Sequence, residues 1–241
     1  MNPRGYTGAA QAHVGLGQLD EAIAILQLGL DVLPDNADIL NMLEELQDDS
    51  ELIALAEEIL REILALIETE DIFAGNELFR ANRNIFRDVS RDEPFKYLPQ
   101  GETGRGVGVY SGRLYHGDYV NSKRHGFGTF ISRWVDDEYQ LFEGNWLYDM
   151  PNGRGVVTIT TPHMTIIREG ELINGLWNGI INGQYINEDG VEDGRELNTF
   201  FEGRAIDRRH FSLSGGEWIE GNVIWQERET TSGVPPFADS F

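Results

Sequence analysis

Between Leu19 and Leu33 the apolar residues Ala22, Ile23, Leu26, Leu30 and Leu33 recur at helical spacing, and Pro34 with Asp35-Asn36 ends the run. A second series, Ile39, Leu40, Leu43 and Leu46, predicts another helix over about 37–47. The widest apolar face belongs to residues 50–69: Leu52, Leu55, Ala56, Ile59, Leu60, Ile63, Leu64 and Ile67. Asp49 or Ser50 can cap that helix, and Glu51 suits its positive N-terminal end. One more helix is predicted over 75–91, with Leu78, Phe79, Ile85, Phe86 and Val89 on its apolar face. On that helix Arg80, Arg83, Arg87 and Arg91 fall at i, i+3, i+7 and i+11 and form a basic stripe.

Further along, the pattern becomes a repeat. Tyr115-His116-Gly117-Asp118-Tyr119 is followed, after six intervening residues, by Gly126-Phe127-Gly128. Phe142-Glu143-Gly144-Asn145-Trp146 is followed at the same distance by Gly153-Arg154-Gly155, and Arg168-Glu169-Gly170-Glu171-Leu172 by Gly179-Ile180-Ile181. The lead glycines Gly117, Gly144 and Gly170 are 27 and 26 residues apart, and each has a partner glycine nine residues on. Such fixed internal spacing marks stacked supersecondary units. In a strand, positions 142, 144 and 146 share one face, so rings share a face with glycines and can lie over bare backbone. Asn152-Gly153 and Asn178-Gly179 read as turn dipeptides. Each unit is therefore predicted to be a β-hairpin, and consecutive hairpins to pair into one long sheet.

The motif Tyr/Phe-x-Gly-x-Trp/Tyr followed by Gly-x-Gly resembles the MORN repeat. Residues 115–183 hold two good copies and a third that departs at Arg168 and Ile181. Gly104 to Tyr110 resembles the return strand of an earlier copy, and Phe201-Glu202-Gly203 and Glu220-Gly221-Asn222 resemble lead strands of later ones. The run from Leu16 to Ile23, with Tyr6, Leu30 and Pro34-Asp35-Asn36, resembles the second half of a tetratricopeptide repeat, with His13 and Gly29 departing from the usual residues. The two resemblances imply helical hairpins followed by a hairpin array that serves as a scaffold or partner-binding surface. Phospholipid binding has also been proposed for the MORN family. A lone tetratricopeptide unit leaves an apolar face open, so a longer array or self-association in a homo-oligomer is compatible with it.

Glycine and charge sharpen the division. Of 28 glycines, 22 lie beyond residue 98, where Pro94 and Pro99 punctuate the chain. The net charge of −22 is uneven: −13 in residues 1–70, zero in 71–98 and −9 in 99–241. The expected organisation is α+β: an acidic tetratricopeptide-like region at 1–70, a connecting and capping helix at 71–98, MORN-like hairpins at 99–228 and a loose tail at 229–241. Phe73, Phe79, Phe86 and Phe95 suit a cap over the first hairpin. The acidic charge argues against nucleic acid and anionic membranes as partners. The absence of cysteine excludes thiolate metal sites and a cysteine nucleophile. No signal peptide and no apolar run of spanning length is visible, so a cytoplasmic protein is expected.

Catalytic chemistry has little support. The five histidines, 13, 116, 125, 163 and 210, show no metal-ligand spacing. Gly104 to Gly108 lacks the Gly-Lys-Ser/Thr ending and the helix of a phosphate loop. Asp136-Asp137-Glu138 reads as a hairpin tip. No catalytic residue, metal site or cofactor is assigned. The expected function is a non-catalytic protein–protein scaffold or adaptor. Its candidate contacts are Arg80, Arg83, Arg87, Arg91, Tyr119, Trp146 and Trp177, with further rings at Tyr115, Phe142 and Trp218. Internal packing over glycine is the competing role for every ring. Tyr115, Gly117, Gly126, Gly128, Phe142, Gly144, Trp146, Gly153, Gly155, Gly170 and Gly179 are the structural repeat positions. Alternatives are an acidic regulator that occupies a basic site on an enzyme or toxin, and a phosphoinositide-associated module.

Overall fold

The computed structural model describes residues 3–69, 71–91, 93–135, 138–214 and 217–221. The acidic tip Asp136-Asp137, the lead-strand residue Asn222 and the tail 229–241 with Phe237 and Phe241 lie outside the described residues. The chain divides into two compact units between Ile59 and Leu60.

The first unit contains α1 (Pro3–Val14), α2 (Leu19–Val32) and the start of α3 (Ala37–Glu68). Its core is Ala10, Ala22, Leu26, Ile39 and Leu46, with Tyr6, Leu30 and Leu33 packed around it. The Tyr6 ring lies directly on Gly29, where a Cβ would come within 2.9 Å of Cγ. This contact is why glycine stands where a small alanine was expected. Asn36 caps α3 by accepting a hydrogen bond from the Ile39 amide at 3.1 Å.

One expectation is corrected here. Residues 37–47 and 50–69 are not two helices but one helix of 32 residues. Asp48, Asp49 and Ser50 can cap a helix, yet none lacks an amide or demands a left-handed backbone. Weak propensity over three residues does not interrupt a helix whose apolar face continues on both sides.

The second unit holds the end of α3, α4 (Ile72–Ala81), α5 (Arg83–Val89) and one antiparallel sheet of eleven strands in chain order. The strands are β1 (Phe95–Tyr97), β2 (Gly104–Tyr110), β3 (Arg113–Val120), β4 (Lys123–Val135), β5 (Glu138–Leu147), β6 (Met150–Thr160), β7 (Met164–Ile173), β8 (Leu176–Asn187), β9 (Glu192–Phe201), β10 (Arg204–Ser214) and β11 (Glu217–Gly221). The class is α+β, as the glycine distribution predicts. The single helix expected over 75–91 is two. The Asn82 side chain bonds the Leu78 carbonyl at 2.9 Å, and the backbone at Asn82 leaves helical geometry. The predicted stripe is thereby shared by two helices, with Arg80 on α4 and Arg83 and Arg87 on α5.

The sheet has two unlike faces. One carries Val107, Val109, Leu114, His116, Thr129 and Ile131, all buried. Helices lie against this face at its first strands. Phe79 and Phe86, 5.3 Å apart, are buried, and Phe73 meets Tyr139 edge-on at 6.4 Å. Arg61 near the end of α3 bonds the Tyr97 hydroxyl at 3.2 Å. The opposite face holds a continuous core from Tyr110 through Tyr115, Phe130, Phe142, Trp146, Val157 and Leu172 to Trp177 and Ile181. These rings pack on one another along the hairpins.

Among the described residues, five hairpins close through two-residue turns in which both residues have positive φ: Ser111-Gly112, Asn121-Ser122, Tyr148-Asp149, Asn174-Gly175 and Glu202-Gly203. This is the turn whose twist matches paired strands. The second turn residue of four hairpins donates its amide to the preceding unit: Ser122 to Glu102 O, Asp149 to Arg124 O, Gly175 to Pro151 O and Gly203 to Trp177 O. These four turns thus form one bonded row.

Asn152-Gly153 and Asn178-Gly179 are not turns, contrary to expectation. Both lie within return strands, at irregularities where that strand carries two extra residues. Gly126 occupies the matching irregularity between β3 and β4. The positive φ of Gly126, Gly153 and Gly179 (+59°, +100° and +78°) serves these bulges, not the chain reversal. The reversal at Tyr148-Asp149 uses residues that do not advertise a turn; the Tyr148 ring rests on His125 at 5.1 Å.

Candidate functional site

Every ring singled out as a repeat position points into the inner face. Tyr115 lies over Gly117 and Gly128, and Phe142 over Gly144 and Gly155. A Cβ on Gly144 would sit 2.7 Å from both Phe142 Cζ and the Gly155 backbone, so only glycine admits the ring. Trp146 packs edge-on against Tyr115, Phe130 and Phe142 at 5.1, 5.9 and 5.5 Å, and its indole N–H donates to Gly128 O at 3.3 Å. The Tyr115 hydroxyl donates to Asp118 O at 3.0 Å, beside the bulge. Tyr119, Trp146 and Trp177, candidates for partner contact, are all buried. In this arrangement they fill the core.

Arg124 sits at the centre of the ring lattice. Its guanidinium lies 4.2 Å from the Tyr110 ring centre, 4.6 Å from Trp146 and 5.4 Å from Phe130. Asp149, in the next hairpin turn, takes its Nε at 3.2 Å, and the Asp149 carbonyl takes Nη2 at 2.9 Å. A buried charge is tolerable only with such pairing. Burial pushes the Tyr110 hydroxyl up to about 12 and the Tyr119 hydroxyl well above its ordinary value. Both phenols therefore stay neutral and contact each other at 3.4 Å.

The third copy is chemically different. Ile181, at a glycine position, places its side chain on Gly170, where the earlier copies hold a ring. Arg168 turns instead to Glu196, pairing at 2.5 Å, and Tyr185 donates its hydroxyl to the same carboxylate at 2.9 Å. Burial alone would raise the Glu196 pKa. Arg168, Tyr185 and Asn198 outweigh it and hold the carboxyl below its usual range. The two departures from the motif, Arg168 and Ile181, are thus one substitution of an ion pair for a ring.

The face opposite the rings, which carries Thr129 and Ile131, also exposes apolar side chains at equivalent places of successive hairpins. Leu147 and Met150 flank one turn, Ile173 lies beside the next, and Phe201 beside the last. Phe127 and Ile180 follow the bulge glycines of their strands. All six are 40–61% exposed. Their strand parity places them on one face, and the bonded row of turns brings them together. Arg154 and Glu169, paired with each other, lie on the same face beside them.

The arginines of the predicted stripe separate. Arg80 and Arg83 line a cleft with Asn76, Phe79, Gly112, Ile131 and Ser132. Arg87 and Arg91 both lie on exposed Asp88, at 3.6 and 3.5 Å. Sequence reasoning missed Asn76, Arg124 and Glu196. A signal existed for Asn76, because residues 76, 79, 80 and 83 share helical spacing. Arg124 directly precedes the His-Gly pair but has no counterpart in the other copies. Among the described residues no cluster of three or more His, Asp or Glu suits a metal, and no helix is long and apolar enough to cross a membrane.

No protein-family model matches the chain, and no curated protein is significantly similar to it.

Proposed function

We propose that this protein is a non-catalytic interaction scaffold: a MORN-like hairpin array preceded by a short tetratricopeptide-like region, holding a protein partner on its outer sheet face. One observation carries the reading. Phe127, Leu147, Met150, Ile173, Ile180 and Phe201 form an exposed apolar row along the hairpin turns, repeated unit by unit. Contiguous exposed apolar surface is costly in water and marks interaction sites. A charged rim around an apolar centre, here Arg154 and Glu169, is the usual anatomy of a protein interface. The inner face supports the same reading from the other side, because its rings are consumed by packing and hold the row in a fixed arrangement.

The test is affinity capture of the tagged full chain from its native host, beside the variant Ile180→Glu/Phe201→Glu. Both side chains are more than half exposed, so the variant keeps the wild-type melting curve. The expected result is a discrete partner with wild type that is absent with the variant. Equal recovery by both proteins refutes the assignment of the surface.

A further inference from the structure

The cleft between α4 and the start of the sheet carries chemistry that interaction through the outer row does not use. It is a small, open-mouthed cleft. Its lining joins Asn76, Phe79 and Arg80 from α4 with Arg83, the turn glycine Gly112, and Ile131 and Ser132 from β4. Asn76 is only 2% exposed, yet neither its Nδ2 nor its Oδ1 has a hydrogen-bond partner in the protein. A buried amide in that state is unfavourable, and its complement must supply both an acceptor for Nδ2 and a donor for Oδ1. The two arginines add positive charge beside it. Arg80 pairs with exposed Glu77 at 3.0 Å; the Arg83 side chain is exposed. The Ser132 hydroxyl is engaged with the Gln140 side chain at 2.9 Å. A Cβ at Gly112 would meet nothing within 4 Å, so the turn leaves that side of the cleft open.

We propose that this cleft binds a phosphate group, free or carried by a phosphorylated residue, between the Asn76 amide and the Arg83 guanidinium, with Arg80 beside it. Phosphate answers each requirement. Its oxygens accept from Asn76 Nδ2 and from guanidinium, and its charge meets two arginines. In its monoprotonated form the P–OH donates to Asn76 Oδ1, which a carboxylate cannot do. A peptide group supplies a donor and an acceptor but brings no charge for the arginines.

Isothermal titration of the full chain tests this, with inorganic phosphate in one arm and acetyl-Gly-phosphoSer-Gly-amide in another. Sulfate and acetate at matched ionic strength are the controls. Saturable binding is expected in at least one phosphate arm. A tighter phosphopeptide assigns the site to a phosphorylated partner, and a tighter free phosphate to the small ion. Sulfate, which lacks a proton to donate, and acetate bind more weakly. Arg83→Gln weakens binding about tenfold and, being a surface change, leaves the fold intact. Asn76→Leu abolishes binding. If that variant fails to fold, Arg83→Gln alone decides. No saturable heat in either phosphate arm, or unchanged affinity in Arg83→Gln, overturns the proposal. So does unchanged affinity in folded Asn76→Leu.

Discussion

Acid should weaken the sheet-bearing unit through one side chain, His116. It lies on β3 between Val107 and Thr129 of the neighbouring strands, and both ring nitrogens are buried without a partner. Burial first, and then the nearby Arg105 guanidinium, lower its pKa to about 4. A free histidine in the unfolded chain titrates near 6.5, so the unfolded state takes up the proton first. Stability is therefore unaffected above about pH 6.5, falls as the pH drops from there toward 4, and levels off below. The penalty is about 2 kcal/mol by pH 5 and about 3 kcal/mol by pH 4. The perturbation that isolates it is His116→Leu, which cannot titrate and removes the two unpartnered nitrogens. Urea unfolding followed by tryptophan fluorescence, run from pH 7.5 to 5, stays above the isoelectric point of about 4.4. At pH 7.5 the variant should be at least as stable as wild type. At pH 5 it should have gained about 2 kcal/mol on wild type relative to that starting difference. The other titrating groups are common to both proteins and cancel. Parallel pH profiles would refute the reasoning, because they would mean His116 is hydrated or paired in solution.

Gly144→Ala should destabilise the sheet by about 3 kcal/mol in urea unfolding, because its Cβ meets the Gly155 backbone as well as the Phe142 ring. Gly8→Ala on α1, where a Cβ meets nothing within 4 Å, should instead stabilise the first unit by about 0.5–1 kcal/mol, read from its melting curve. Glu196→Gln should cost about 3 kcal/mol by removing the buried carboxylate that pairs with half-buried Arg168. Because the Glu196 pKa is depressed, its contribution is present above the ordinary carboxylate range and is lost as pH falls through the lowered value. The Glu196→Gln deficit should accordingly shrink in acid; a pH-independent deficit would count against the ion pair.

The architecture was legible because two periodicities survive in the chain. Rings two residues from glycines predict a face where aromatic side chains lie on backbone, and Tyr115 on Gly128 and Phe142 on Gly155 do so. What failed to show were decisions made by context. Asp48, Asp49 and Ser50 have the chemistry of a helix start, but α3 runs through them because its apolar face continues. Asn82 looks like any polar helix residue, yet its amide takes the Leu78 carbonyl and ends α4 before α5 begins. Asn152-Gly153 has the composition of a turn, but the strands reverse at Tyr148-Asp149 and the glycine is used in a bulge. The candidate surfaces were less visible still. Nothing in spacing alone says that Trp146 faces inward while Ile180, next to Ile181, faces outward; that follows from which side of the sheet the rings choose. Asn76 is conspicuous only when its amide is seen buried and unpartnered.

The central claim is that partners meet the outer row and not the inner rings. Site-specific photo-cross-linking in the native host tests it most directly, with the photoreactive residue placed at Ile180 in one experiment and at Leu28, exposed on α2, in another. The account predicts one discrete cross-linked product from position 180 and none of that mass from position 28. No product from position 180, or the same product from position 28, would contradict it.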